Sequence, residues 1–256
     1  MIQSNNNKPQ LADFLLQFGI AIKQSIPTFL PNYGLIKISG IDAAIFLQNQ
    51  LTCNITKISA QPSLGAMCNA QGRVECVFKI FRANNDFYMQ IIKEQLLPTI
   101  NNLSKYILRS KVVLQPEEQE TNQDDNDKIL WEIKEISEKI PEIYLTTTQK
   151  FLPHNINLVN LGAVSLDKGC YKGQSIIAKM QYLGKIKKEL KIIAVQTTKT
   201  LTSLIPGNKL DNTEATIVRS VALNNTYQLA LIETKIISPL DACEETATHL
   251  ELNSDL

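Results

Sequence analysis

From Tyr33 onward the chain alternates apolar and polar positions with a regularity that its first thirty residues lack. Tyr33 to Ser39 reads as a strand carrying Leu35, Ile36 and Ile38. Asp42 is then placed to cap a helix in which Ala43, Phe46, Leu47 and Leu51 recur at helical spacing. Leu64 to Asn69, a Gln71-Gly72 turn and Val74 to Phe81 read as a β-hairpin, and Asp86 to Ile92 as a further strand. A helix follows from Glu94 to Leu108, with Pro98 in its first turn, where proline is tolerated. Lys111 to Leu114 closes the unit as a strand. Strand–helix–strand, hairpin, strand–helix–strand predicts an α+β sandwich of the ferredoxin-like kind, with helices on one face of an antiparallel sheet.

The flanks read differently. Leu11 to Phe18 fits a short amphipathic helix that ends before Pro27 and Pro31. Pro116 to Lys128 is polar and acidic and is expected to be a solvated linker, with structure returning over Ile129 to Ile136. Ser175 to Met180 reads as ordered and half-buried. Leu190 to Gln196, Gly207 to Leu210, Ala215 to Ala222 and Tyr227 to Glu233 read as short strands between turns, which predicts a small C-terminal β-barrel. The expected division is an N-terminal extension (1–32), an α+β domain (33–183, with the linker at 116–128), the barrel (184–240) and a mobile acidic tail (241–256).

Composition narrows the chemistry. A chain of 256 residues, 44% of them hydrophobic, can bury a substantial core. Its 26 basic and 25 acidic side chains leave a net charge of +1, so no global field calls for a nucleic-acid or membrane partner. The first ten residues are polar and no apolar run reaches membrane-spanning length, which predicts a cytoplasmic protein without a membrane partner. Five cysteines without a C-x-x-C pair read as reduced thiols, not as a disulfide framework, a zinc site or an iron–sulfur cluster held by this chain alone. With His154 and His249 the only histidines, no metal site is expected.

One octapeptide stands out: Asp167-Lys168-Gly169-Cys170-Tyr171-Lys172-Gly173-Gln174. Glycines on both sides let the backbone turn sharply, and the ammonium groups of Lys168 and Lys172 favour a thiolate at Cys170. Cys53, Cys68 and Cys76 lie in apolar contexts and read as core residues. Beyond the octapeptide, Lys179, Lys185, Lys187 and Lys188 cluster near Tyr171 and Tyr182, either as a nucleic-acid-binding patch or as a solvated lysine face.

Three stretches carry a family resemblance: Lys37 to Thr52 (KISGIDAAIFLQNQLT); Ala66 to Arg73 (AMCNAQGR), running on to Phe81-Arg82; and Phe151-Leu152-Pro153, followed by Leu166 to Gln174 (LDKGCYKGQ). In this order they resemble the YgfZ family. These are folate-binding proteins related to the T-protein (aminomethyltransferase) of the glycine cleavage system, and they assist iron–sulfur enzymes and tRNA modification. The resemblance implies a groove for tetrahydrofolate or a derivative in the α+β part, faced by the motif cysteine, here Cys170. It carries the motif over to Lys168, Gly169, Tyr171, Gly173 and Gln174, and places Tyr33 and Trp131 at the family's folate-lining aromatic positions.

The chain departs from the family pattern in three places. Ser175 stands where the family has glutamate, Ser137 to Pro141 (SEKIP) stands in place of E-x-G-x-P with an acid displaced to Glu138, and the region between Leu114 and Trp131 is short. A reduced second half-domain is therefore expected. The implied role is that of a folate-binding accessory protein supporting iron–sulfur cluster assembly or repair, and through it tRNA modification. Cys170 is its reactive thiol, and iron–sulfur enzymes or assembly factors are its partners. Two alternatives are a folate-dependent aminomethyltransferase and a tRNA-binding module. The first is disfavoured because the T-protein's paired aspartates correspond here to Glu75-Cys76.

Overall fold

The computed structural model describes residues 11–17, 32–117, 125–196, 204–210, 213–236 and 249–252. They divide between two units, one within Phe29–Gln123 and Pro141–Glu189, the other within Met1–Thr28, Asp124–Ile140 and Leu190–Leu256.

In the first unit, β1 (Tyr33–Ser39), β2 (Ser63–Cys68), β3 (Val74–Ala83), β4 (Asp86–Ile92) and β5 (Val113–Glu117) form one antiparallel sheet in the order β2-β3-β4-β1-β5. With β2 set aside at the edge, the order β3-β4-β1-β5 and the connecting helices α2 (Ala43–Gln50) and α3 (Lys93–Ser104) give a split β-α-β arrangement. Alternation explains how it closes: Ile36 and Ile38, Phe78 and Ile80, and Met89 and Ile91 share one face and pack with Phe46, Leu47 and Leu103 of the helices.

Several boundaries shift. Asp42 precedes α2, but its carboxylate accepts from Lys111 N at 2.7 Å instead of capping the helix, which ties the entry of β5 to that of α2. The helix α3 ends at Ser104 and is followed by turns, and Pro98 falls inside it beyond the first turn. The expected linker 116–128 is shorter. Pro116 and Glu117 pair with Ile36 and Leu35, and a helix, α4 (Asp125–Ser137), takes up its far end.

The second unit differs most from expectation. It joins α1 (Leu11–Leu16) and α4 to β6 (Lys188–Gln196), β7 (Thr216–Ala222), β8 (Tyr227–Lys235) and β9 (His249–Leu252). Phe14 of α1 meets Tyr227 edge to face at 6.0 Å, and α4 packs on β7 and β8. The 33–183 domain therefore loses α4 to the C-terminal strands. The physical reason is a buried ion cluster: Arg219 of β7, at a β-bulge, donates to Glu132 at 2.6 Å and Glu135 at 3.4 Å, both on α4.

The expected barrel is a four-stranded sheet, β7-β8-β6-β9, with no closure among the described residues. Residues 207–210 contribute only a bridge at Lys209. The expected mobile tail supplies β9, whose Leu250 and Leu252 pair with Ala194 and Ile192, while 241–248 and 253–256 lie outside the described residues. No helix among the described residues is long and apolar enough to cross a membrane.

Candidate functional site

Residues 151–173 form neither strand nor helix, so their course is set by the groups that hold them. The first hold is at Phe151, whose carbonyl accepts from Val74 N at 3.0 Å at the start of β3. The second is Thr52, fully buried: its hydroxyl donates to Ala163 O at 2.7 Å and accepts from Ala66 N at 3.0 Å, and its carbonyl accepts from Ser165 N at 2.9 Å. The third is Lys168, whose ammonium donates to Leu51 O at 2.7 Å and Cys53 O at 2.8 Å. Leu51-Thr52-Cys53 thus grips residues 163–168 from both sides.

The turn between β2 and β3 makes the fourth hold. Gly173 sits at φ +83°, in the left-handed region, and a Cβ there would run into Asn69 O and come within 3.1 Å of Gly72 Cα. Gly72, at φ +70°, lies against Ile176 and Ile177 of α5 (Gln174–Leu183). The three stretches singled out in the sequence therefore meet in one place.

At that place Cys170 is exposed, whereas Cys53, Cys68 and Cys76 are buried. Burial pushes the Cys53 thiol up to about 11 and that of Cys76 to about 12, and raises Cys68 as well, so these three stay protonated at neutral pH. The two lysines of the octapeptide have defined partners of their own. Lys168 is 8% exposed, bonded to the two carbonyls, and lies 5.0 Å from the Tyr171 ring centroid. Lys172 pairs with Glu75 at 3.3 Å and lies 5.2 Å over Tyr106. Gln174 likewise braces the loop, donating from Nε2 to Lys168 O at 3.2 Å. His154 is bonded to Gln181 at 3.2 Å and forms no pair with Cys170.

Burial lowers the Lys168 pKa from 10.5 to about 8, with the neighbouring Cys53 acting in the opposite sense. Between those two values the unfolded chain holds the proton that the native amine has released, so this residue makes stability rise with pH across the window. A neutral amine still has two donors for its two carbonyls. Lys168→Met should therefore lose more stability relative to wild type at pH 10 than at pH 8, as read from urea midpoints of both proteins.

The first unit holds two further buried polar groups. The hydroxyl of Tyr171, a residue 6% exposed, has no hydrogen-bond partner, and burial raises its pKa, with Cys68 adding to the shift. Glu142, buried, accepts from Tyr33 OH at 2.6 Å and Ile143 N at 3.1 Å. Glu142 is not among the candidates that the sequence offers; the displaced acid expected at Glu138 is exposed, and Glu142 directly follows Pro141.

Beside the loop, a groove of about 860 Å³ runs between α2 and residues 106–110, lined by Ile45, Phe46, Gln50, Tyr106, Leu108 and Arg109 among others. Tyr33, Lys168, Cys170, Tyr171, Lys172, Gly173 and Gln174 all belong to the first unit, and Trp131, buried on α4, to the second. Among the described residues, no cluster of three or more His, Cys, Asp or Glu side chains suits a metal ion.

No protein-family model matches the chain. An uncharacterized protein of Haemophilus influenzae is 28% identical over 205 residues, covering 66% of this chain and 73% of that protein. The tRNA-modifying protein YgfZ of Photobacterium profundum is 24% identical (66% and 70% covered), and that of Vibrio atlanticus 22% (82% of each). The solved glycine cleavage system aminomethyltransferase T of Bartonella henselae shares the fold at TM-score 0.57 and 10% identity, covering 80% of this chain and 76% of that one. The likeness to YgfZ proteins read from the motifs is thus also present over most of the chain.

Proposed function

We propose that the protein is a folate-binding accessory protein that supports iron–sulfur cluster assembly or repair, and thereby tRNA modification, with Cys170 as its reacting thiol. The observation that carries this reading is the convergence of Leu51–Cys53, Asn69–Arg73 and Lys168–Gln174, which leaves Cys170 exposed while the other cysteines among the described residues are buried and protonated. The relatives named tRNA-modifying protein YgfZ supply the biological setting.

The residues present fit a folate. A pterin offers N–H donors and a carbonyl acceptor on a flat ring, and the first unit holds both a buried carboxylate, Glu142, bonded to Tyr33, and a buried hydroxyl, that of Tyr171, without a hydrogen-bond partner. Glu142 would accept from the ring edge, Tyr33 would fix the carboxylate, and Tyr171 would supply a donor. When bound, the folate supplies a one-carbon or redox-active pterin. Tyr33 and Tyr171 are the aromatic candidates within this unit, while Trp131 is a contact proposed from the resemblance alone. Cys170 as thiolate would attack a disulfide, forming a mixed disulfide as the other sulfur leaves as a thiolate, or take the outer sulfur of a persulfide as the carrier thiolate leaves, or ligate a metal ion in transit.

The aminomethyl-transfer alternative gains no support from Glu75, whose carboxylate already accepts from Lys172 at 3.3 Å, Asn102 at 3.0 Å and Gln149 at 3.2 Å. Cys170→Ser, expressed in cells lacking the native protein, should drop thiolated tRNA nucleosides and iron–sulfur enzyme activity to the level of cells without it. Full restoration of both by the variant would remove the thiol from the mechanism.

A further inference from the structure

The motif loop leads directly into a surface that the folate reading does not use. From Gln174 to Lys188 the chain carries four lysines and no carboxylate. Lys179, Lys185 and Lys187 are exposed, and none forms an ion pair with a described residue. Lys179 and Tyr182 stand three residues apart on α5 and so are neighbours on one face of the helix. Tyr182 is 70% exposed, so its ring faces solvent. Tyr171, which the sequence suggested as a second stacking ring, is buried and excluded from this surface.

We propose that Lys179, Tyr182, Lys185 and Lys187 form a binding surface for single-stranded RNA, with the lysines on successive phosphates and Tyr182 stacked on a base. Every base presents a π-face to an open aromatic ring, and unpaired ammonium groups gain from displacing phosphate counterions. An anionic lipid surface fits less well. A helix lying in a bilayer commits its whole apolar face, whereas Ile177 of this ten-residue helix is buried in the protein and Ile176 lies against Gly72, which leaves Leu183 and Ile186 as the exposed apolar side chains between the lysines. The surface shares no residue with the folate contacts, so either reading can fail without the other.

The test is fluorescence anisotropy of the full chain with a labelled uridine 20-mer and with labelled tRNA, in 50 and 200 mM KCl. Three phosphate contacts predict a logarithmic salt slope of about −2, or roughly a twentyfold loss of affinity between the two salts. Tyr182→Ala should weaken 20-mer binding at least about fivefold while Tyr182→Phe retains it, since stacking contributes on the order of 1–3 kcal/mol per base. Charge reversal of Lys179, Lys185 and Lys187 together should abolish binding. No binding at 50 mM KCl would overturn the proposal, as would equal binding by wild type and the triple variant. Binding confined to anionic phosphatidylserine vesicles would reassign the surface to lipid and overturn it equally.

Discussion

Replacing Arg219 by methionine should lower the unfolding free energy by about 3–5 kcal/mol, the usual consequence of removing one partner from a buried ion cluster. Arg219 is completely buried, and its guanidinium meets Glu132 at 2.6 Å, Glu135 at 3.4 Å and Ile140 O at 3.4 Å. Methionine fills much of the volume, so the loss would come from two acidic side chains left inside without the guanidinium. The melting temperature should fall by on the order of 10 °C in a chain of this size. Adding Glu132→Gln and Glu135→Gln to Arg219→Met should recover a large part of the loss, because the buried charges go with their partner. Equal stability of Arg219→Met and wild type in urea would show that this cluster does not hold α4 to the C-terminal sheet.

Gly173→Val should cost about 2–5 kcal/mol and disable the site even in molecules that still fold. A non-glycine residue in the left-handed region costs about 1–2 kcal/mol, and forcing atoms into a packed contact adds about 1–3 kcal/mol. The obstacle is backbone, Asn69 O and Gly72 Cα, so no side chain can swing away to relieve it. Displacing Gly173 would also pull the start of α5 from the β2–β3 turn. Gly169→Ala is the contrast: its added methyl would meet nothing within 4 Å, and its φ is not positive, so a change within about 0.5 kcal/mol is expected. Chemical denaturation of the two variants separates these cases. A Gly173→Val protein as stable as Gly169→Ala would mean that the turn and the loop do not touch as described.

That contrast shows what the sequence could and could not convey. Both glycines looked equally necessary beside Cys170, yet only Gly173 meets a steric wall, and the wall is formed by residues about a hundred positions earlier. Local pattern was enough for the first sheet, because Ile36, Ile38, Met89 and Ile91 alternate as a half-buried strand requires. It was also enough for the motif itself.

Long-range polar pairing was not legible. Asp42 has the composition of a helix cap but binds Lys111 N, and Lys168 has that of a thiolate partner but binds two carbonyls. The helix α4 followed an acidic run that looked like linker, and only Arg219, far along the chain, reveals where it belongs. Glu142 has no local pattern to mark it, and only its bond to Tyr33, 109 positions earlier, shows what it holds. A strand of four residues in a polar tail, His249–Leu252, offers too short a pattern to stand out.

Folate binding by the first unit is tested most directly by calorimetric titration of tetrahydrofolate into the full chain, wild type and Glu142→Gln. Saturable one-to-one binding is expected for wild type. It should weaken at least about tenfold in the variant, as a hydrogen bond to a charged group contributes about 1.5–3 kcal/mol, with circular dichroism confirming that the variant folds. The contrary result is no saturable heat from wild type with tetrahydrofolate at about 1 mM, a concentration that would reveal even binding of about −4 kcal/mol.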